Sequence, residues 1–318
     1  MKGECKQAAS ILKDADDILI LTHQYPDGDT LGSSGALCLA LQKMGKRARV
    51  ECSSIIPQKY DYMFSRIERQ EFPERFVVST DVADTQLLGD KLMRYKDKID
   101  LCIDHHPSNA VKAGYVLVDE GAAATTEIIC RVIEEMGVAV DSAIADCIYT
   151  GISTDTGCFR YTNATPYTYR VAAKMMECGA DAAAINRLMF DTKSRARLEI
   201  ERRVLDTMEF FYDDRCAVIY VTQKMIRESK CGDDDLDGLA ALPRQVEGVL
   251  VGITLREKAD GCFKISLRSA GGICASDICA KFEGGGHYTA AGCSIEGSVD
   301  EVKRKIVAAV GQALGEAK

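Results

Sequence analysis

No apolar run in the 318 residues approaches the roughly 20 that a membrane span requires. The first residues, Met1-Lys2-Gly3-Glu4-Cys5-Lys6-Gln7, lead straight into a mixed polar helical pattern without the apolar core of a signal peptide. A soluble cytoplasmic protein is the expectation. Cysteine is plentiful, at 14 residues, but no two stand as Cys-x-x-Cys, so neither a zinc ribbon nor a thioredoxin-like motif is indicated. In a reducing compartment such thiols stay unpaired. Most of them, Cys38, Cys102, Cys130 and Cys147 among them, fall inside apolar segments as small hydrophobes. Basic charge is in deficit: 40 Lys and Arg face 48 Asp and Glu, a net −8. That balance counts against a binder of long duplex nucleic acid, whose footprint must be basic, while leaving room for a local basic pocket. There is no internal repeat and no low-complexity tract. Histidine is sparse enough to consider one by one: His23, His105, His106 and His287.

The composition that remains, 47% hydrophobic and 28% charged, is that of a globular chain, and its length suits two domains. Apolar runs at 17–23, 49–52, 75–81, 99–104 and 115–119 read as buried strands. Between the first two, apolar positions 31, 37, 41 and 44 mark a helix closed by Gly45. Strands alternating with helices imply parallel βαβ units covered on both faces. From about 122 to 190 the pattern is helical, with Asp181 as an N-cap. A charged helix follows within 193–211. The expected domains are therefore 1–190, a helical linker at 191–213, and a smaller α/β domain at 214–318. In the latter, strands at 217–221, 249–255 and 261–268 precede a helix at 274–282, a glycine-rich loop and a closing helix at 299–314. The strand 261–268 alternates strictly. Phe263, Ile265 and Leu267 face one way, and Lys264, Ser266 and Arg268 the other. Lys258 to Gly261 forms a hairpin turn before it. Asp233-Asp234-Asp235 reads as a solvated loop, with a cation or partner contact as the alternative.

Three of the buried strands end in the same chemistry. The first runs into His23-Gln24-Tyr25-Pro26-Asp27-Gly28-Asp29, the second ends at Asp81 with Asp84 close behind, and the third ends at Asp104-His105-His106. The carboxyl ends of parallel strands share one edge, where ligands bind. Asp155, in Gly151-Ile152-Ser153-Thr154-Asp155-Thr156-Gly157, is expected in a tight turn of small residues. Alone, Pro26-Asp27-Gly28 is a turn. It cannot open a calcium loop, because position twelve is Cys38 rather than Glu. Asp84 reads first as a helix N-cap after the strand. Together, several carboxylates at one edge repel one another unless cations neutralise them. Oxygen and imidazole ligands without thiolate suit two Mn²⁺ or Mg²⁺ ions.

The order His23-x-x-x-Asp27-x-Asp29, Asp81, Asp104-His105-His106, Asp155 resembles the DHH phosphoesterase superfamily, named for the third motif. Gly284-Gly285-Gly286-His287-Tyr288-Thr289-Ala290-Ala291-Gly292 is similar to the glycine-rich motif of the DHH-associated C-terminal domain in RecJ-type exonucleases and NanoRNase/pAp phosphatases. The resemblance covers nearly the whole chain. It implies an N-terminal parallel-sheet catalytic domain and a smaller α/β domain, with the active-site cleft between them. It implies that His23, Asp27 and Asp81 hold one Mn²⁺, and that Asp29, Asp81, His105 and Asp155 hold a second, Asp81 bridging. His106 would contact the scissile phosphate or protonate the leaving oxygen, and Asp104 would orient a neighbouring histidine. Gly284, Gly285, Gly286 and His287, with Arg268, would grip substrate phosphate. RecJ enzymes carry further nucleic-acid modules, membrane-bound cyclic-dinucleotide phosphodiesterases carry sensor segments, and family II pyrophosphatases lack the glycine-histidine motif. The compact form remains: a hydrolase of short oligoribonucleotides or of 3′-phosphoadenosine-5′-phosphate (pAp), with a phosphodiesterase for linear or cyclic dinucleotides, a RecJ-like exonuclease and a nucleotide-binding sensor as alternatives. A homodimer is left open.

Overall fold

Alternate side chains of the first strand serve two different cores, and this periodicity organises the N-terminal half. Ile18 and Ile20 pack with Leu12, Leu37 and Ile129, whereas Leu19 and Leu21 pack with Val77, Leu88 and Cys102. A strand buried on both faces has to be apolar throughout. The computed structural model describes residues 2–232, 234–236, 238–258 and 261–315, and the chain divides into two units, Met1–Thr192 and Lys193–Lys318.

In the first unit α1 (Lys2–Asp14) is followed by β1 (Ile18–Leu21), α2 (Gly28–Lys43), β2 (Ala48–Glu51), a short α3 (Asp61–Phe64), β3 (Phe76–Thr80), β4 (Leu101–Asp104) and β5 (Tyr115–Val118). Four helices complete it: α4 (Thr125–Met136), α5 (Ser142–Asp155), α6 (Pro166–Glu177) and α7 (Ala182–Asn186). The five strands form one parallel sheet in the order β2-β1-β3-β4-β5. From β1 the chain moves outward to β2, then returns to β3 on the other side. That reversal opens a crevice beyond the carboxyl ends of β1 and β3, the standard ligand position in open α/β sheets.

Helices α2 and α5 approach closely because glycine lines their contact. A Cβ on Gly32 would stand 2.4 Å from the Cys147 carbonyl oxygen, and one on Gly151 would stand 2.7 Å from Asp29 Oδ1. The tight turn expected around Asp155 lies one residue later. Asp155 is the last residue of α5, and the chain leaves the helix at Thr156.

The second unit begins with α8 (Arg195–Leu205), β6 (Glu209–Phe211), β7 (Cys216–Val221) and α9 (Gln223–Ser229). It continues with β8 (Val251–Glu257), β9 (Cys262–Ser269), α10 (Ala275–Ala280), β10 (Gly285–Gly286), β11 (Ala290–Glu296) and α11 (Val299–Ala313). Its sheet order is β10-β11-β9-β8-β7-β6; β7 and β8 are parallel and the other pairs antiparallel. The charged helix expected to connect the domains packs within this unit: Ile200 and Val204 of α8 are buried with Ile219, Val221 and Leu239. The opposite face of the sheet packs Val218, Ile253 and Ile265 against Ile278 of α10 and Ile306 of α11. The glycine-rich segment is a narrow hairpin: Gly285 and Gly286 pair with Gly292 and Ala291, and His287 N–H donates to Ala290 O at 2.8 Å. Of the triple aspartate, Asp233 lies outside the described residues, and Asp235 accepts from Ser194 Oγ at 2.5 Å and from Gly232 N at 3.0 Å. No described helix is long and apolar enough to cross a membrane.

Candidate active site

Strand β1 delivers His23 to the crevice, with Nε2 3.7 Å from Asp27 Oδ2 and 3.7 Å from Asp81 Oδ2. Its Nδ1 is buried with no hydrogen-bond partner. Asp27 is the N-cap of α2, its Oδ1 accepting from the N–H groups of Asp29 and Thr30 at 3.0 Å each. The turn reading of Pro26-Asp27-Gly28 is thus correct locally, and it leaves Oδ2 facing His23. Asp29, in the first turn of the helix, is buried.

Asp81 follows β3 with φ of 58°, in the left-handed region that a non-glycine residue enters only at a cost of about 1–3 kcal/mol. Its N–H is held by Ile103 O at 3.0 Å. Beyond β4, Asp104 accepts from His105 N at 2.8 Å, from His106 Nδ1 at 2.8 Å and from Asn109 Nδ2 at 2.7 Å. His105 Nδ1 stands 3.2 Å from Ala122 O, to which it donates in the tautomer that frees Nε2. That Nε2 then faces Asp155 at 3.4 Å, Asp81 at 3.7 Å and Asp29 at 3.9 Å. Asp84 is separate: its side chain accepts from Gln86 N at 2.8 Å and caps the following turn.

Three groups of side chains therefore each bring potential ligand atoms within 4.8 Å of one another: His23, Asp27 and Asp81; Asp29, His105 and Asp155; and Asp81, His105 and His106. Asp81 and His105 each belong to two of them. The separations are too long for hydrogen bonds and of the scale set by ligands around a shared cation. The electrostatics agree. Burial and then repulsion from Asp29, Asp27 and Asp155 push the Asp81 carboxyl far above its ordinary range. Burial and the neighbouring Asp29 and Asp27 charges push Asp155 up to about 9. Burial likewise raises Asp29. Carboxylates crowded in this way ionise together only when cations offset their charge. An oxygen and imidazole donor set, one imidazole with an unpartnered ring nitrogen, fits divalent cations.

Asp104 behaves in the opposite sense. Burial opposes its ionisation, but bonds from His106, Asn109 and the His105 N–H outweigh that and hold it below the usual carboxylate range. Its bond in turn raises His106, against the effect of burial.

Two residues escape a reading of the motifs. The N-cap of helix α4 is Ala124, which offers no capping side chain. The cap comes from α2 instead. Asp29 accepts from Thr125 N at 2.6 Å, Thr126 N at 3.0 Å and Thr126 Oγ1 at 2.8 Å. Thr125 Oγ1 donates to Asp81 at 2.9 Å. The available signal was Ala122-Ala123-Ala124-Thr125-Thr126, a helix start without its own Ser or Asp cap, which implies a cap from elsewhere.

The expected substrate-binding residues lie in the second unit. Arg268 is half-buried on β9, its Nη1 donating to Leu267 O at 3.2 Å. Gly285, Gly286 and His287 are exposed and Gly284 is half-buried.

Comparison with known proteins accounts for this arrangement. The model of the DHH family, N-terminal domain, matches residues 17–152, and that of the DHHA1 domain matches residues 213–316. A protein of Thermus thermophilus named bifunctional oligoribonuclease and PAP phosphatase NrnA is 33% identical over 315 residues, covering 96% of this chain and 93% of its own length. The chain belongs to the DHH family. Within it, this DHH protein falls in the NanoRNase/pAp phosphatase-like branch. The Bacillus subtilis protein of the same name is 23% identical over 310 residues, 96% of each chain. Among solved structures, an exopolyphosphatase-related protein from Bacteroides fragilis superposes with a TM-score of 0.85 at 27% identity, covering 99% of this chain and 96% of that one. RecJ from Thermus thermophilus in complex with Mn²⁺ shares the fold, with a TM-score of 0.56 at 15% identity over 98% of this chain and 55% of that one.

Proposed function

We propose that this DHH-family hydrolase cleaves short oligoribonucleotides to nucleoside monophosphates and converts pAp to AMP and phosphate, using two Mn²⁺ ions, with Mg²⁺ as the alternative, in the cytoplasm. The observation that carries the reading is the place of Asp81 in two ligand groups at the switch point of the sheet. The name of the Thermus relative supports the substrate class. The cytoplasmic setting is supported by the fourteen cysteines, all unpaired.

His23, Asp27 and Asp81 would hold one ion, and Asp29, Asp81, His105 and Asp155 the other. Bound there, two divalent ions would offset phosphoryl charge and supply hydroxide at neutral pH for in-line attack on phosphorus. The chain's own residues do the rest. The Ala122 carbonyl keeps the His105 Nε2 lone pair toward the carboxylates. Asp104 holds His106 by Nδ1 and favours its protonated form. That places a positive N–H donor beside Asp81, able to bind a phosphate oxygen and to pass its proton to the leaving oxygen. Arg268 would clamp a phosphate in two-pronged fashion. Gly284, Gly285 and Gly286 would let the backbone approach another closely, and His287 would cap the substrate end.

The test is a Mn²⁺-dependent hydrolysis panel over pAp, di- to pentaribonucleotides, pyrophosphate and cyclic dinucleotides, run with Asp81→Ala alongside. Turnover of pAp and of the short ribonucleotides, abolished in the variant, is expected. Near-normal turnover by Asp81→Ala, or binding without turnover, overturns the reading.

A further inference from the structure

The four residues that would hold the second cation are not steadied alike. Asp29 takes three hydrogen bonds from Thr125 and Thr126. Asp81 takes one from the Thr125 hydroxyl, and the Ala122 carbonyl orients His105. All of these partners lie in one stretch, Ala122 to Thr126. The Asp155 carboxylate has no such support. Among the described residues, its polar neighbour is His105 Nε2 at 3.4 Å, and no hydrogen bond offsets the burial and the Asp29 and Asp27 charges that raise it. Whatever sets this carboxylate in place has to act through its backbone.

The chain beyond Asp155 turns in an unfavourable way. Gly157, Cys158 and Phe159 follow one another in the left-handed region, with φ of 56°, 59° and 62°. The two non-glycine residues adopt it only where surrounding contacts impose it. Several bonds of this turn are local: Cys158 N to Ser153 O at 2.7 Å, Phe159 N to Thr156 Oγ1 at 3.0 Å, and Arg160 Nε to Gly157 O at 2.6 Å. The Asn163 amide reaches further. Its Nδ2 donates to Asp155 O at 3.1 Å and to Ala123 O at 3.1 Å. Both acceptors are carbonyls, so only the amide nitrogen can serve them, and both of its hydrogens are used. One carbonyl left open at the end of α5 is thereby filled. The same amide joins Asp155 to the stretch that serves Asp29, Asp81 and His105. Glu127 holds Ala123 from the other side, accepting from its N–H at 3.4 Å.

We propose that Asn163 is a positioning residue: by tying the Asp155 carbonyl to Ala123, it makes residues 122–126 a single template that sets all four ligands of the second cation. The proposal deepens the functional reading above and rests on its two-metal assignment. Asn163 acts through Asp155 and not on substrate. His23 and Asp27, which with Asp81 would hold the first cation, lie outside this template, between β1 and the start of α2. The two ions should therefore respond differently to the loss of Asn163.

The experiment strips the full chain of metal with a chelator and titrates Mn²⁺ by calorimetry, while electron paramagnetic resonance follows the magnetic coupling between paired ions. Asn163→Ala is expected to weaken one binding step by about tenfold, the lower end of what such supporting residues carry, and to leave the other within about twofold. The coupled signal at limiting Mn²⁺ should fall accordingly. Asn163→Leu, similar in size but without a donor, should behave alike. Asn163 is exposed, and thermal melts of the metal-free variants should show the fold intact. Combined with Asp155→Asn, Asn163→Ala should have no further effect on Mn²⁺ affinity, because residues acting through one another do not add. Equal weakening of both steps, no weakening of either, or full additivity with Asp155→Asn overturns the proposal. Failure of the wild-type chain to bind two Mn²⁺ ions is seen without any variant, and overturns the metal assignment together with the proposal.

Discussion

The Thr125 hydroxyl donates to Asp81 Oδ1 at 2.9 Å, linking the first residue of α4 to the carboxylate at the end of β3. Asp81 is held in a left-handed conformation, crowded by four other aspartates and raised in pKa. A neutral hydroxyl is one of the few partners that steadies such a carboxylate without adding charge. Residues that orient metal ligands in this way commonly carry about 10–100-fold of metal affinity. Thr125→Val is expected to lower Mn²⁺ affinity by about that factor, and Thr125→Ser to restore most of it. Calorimetric titration checks this, and unchanged affinity in the valine variant would remove Thr125 from the site.

Asp81→Asn separates stability from metal binding. Asparagine tolerates the positive φ and removes a carboxyl whose ionisation burial and the neighbouring aspartates oppose. The metal-free variant should melt at or above the wild-type temperature. Its stabilisation by Mn²⁺ should be largely lost, since a ligand stabilises only in proportion to its binding. Thermal melts with and without Mn²⁺ decide it; an undiminished Mn²⁺-induced shift would count against a role in metal binding.

Asp155 supplies a pH dependence with a definite sign. Its carboxyl is raised from 3.8 to about 9 in the metal-free fold, so at pH 7 it is protonated when folded and ionised when unfolded. Between those values the folded state binds more protons, so this group's contribution to stability falls as pH rises. Metal binding requires the carboxylate and releases the proton. Titrating Mn²⁺ at pH 7 in two buffers of different ionisation heat should show proton release, and affinity should climb toward pH 9. Identical heats in both buffers would contradict it.

Asp104→Asn tests the histidine pair. Asp104 raises His106 through a bond of 2.8 Å, so loss of the carboxylate should lower the His106 pKa. If protonated His106 acts on the phosphate, the alkaline limb of the rate profile moves to lower pH and the maximal rate falls. A profile that drops in height but keeps its alkaline limb would confine Asp104 to a structural part.

The candidate site was legible in the sequence because its residues sit at strand ends. Asp17 to His23, Arg75 to Asp81 and Ile99 to Asp104 each show an apolar run ending in a charged residue, and parallel strands align those ends whatever the helices do. Asp155 was readable as a motif, but its position at the end of α5 was not, because helix limits depend on packing against α2. Thr125 and Thr126 were not readable as partners of Asp29, since their link spans 96 and 97 positions.

What the sequence by itself determined is therefore the inventory: which residues are ligand candidates, which strand end carries each, and that thiols are excluded from the motifs. Only the tertiary structure decided their combination. The order β2-β1-β3-β4-β5 sets His23 beside Asp81, and the glycine-lined contact of α2 with α5 brings Asp155 to His105. The uncapped start of α4 draws in Asp29 as its cap. The physical reason is that strand pattern is a local property of period two, whereas ligand groups depend on close approach between elements far apart in the chain.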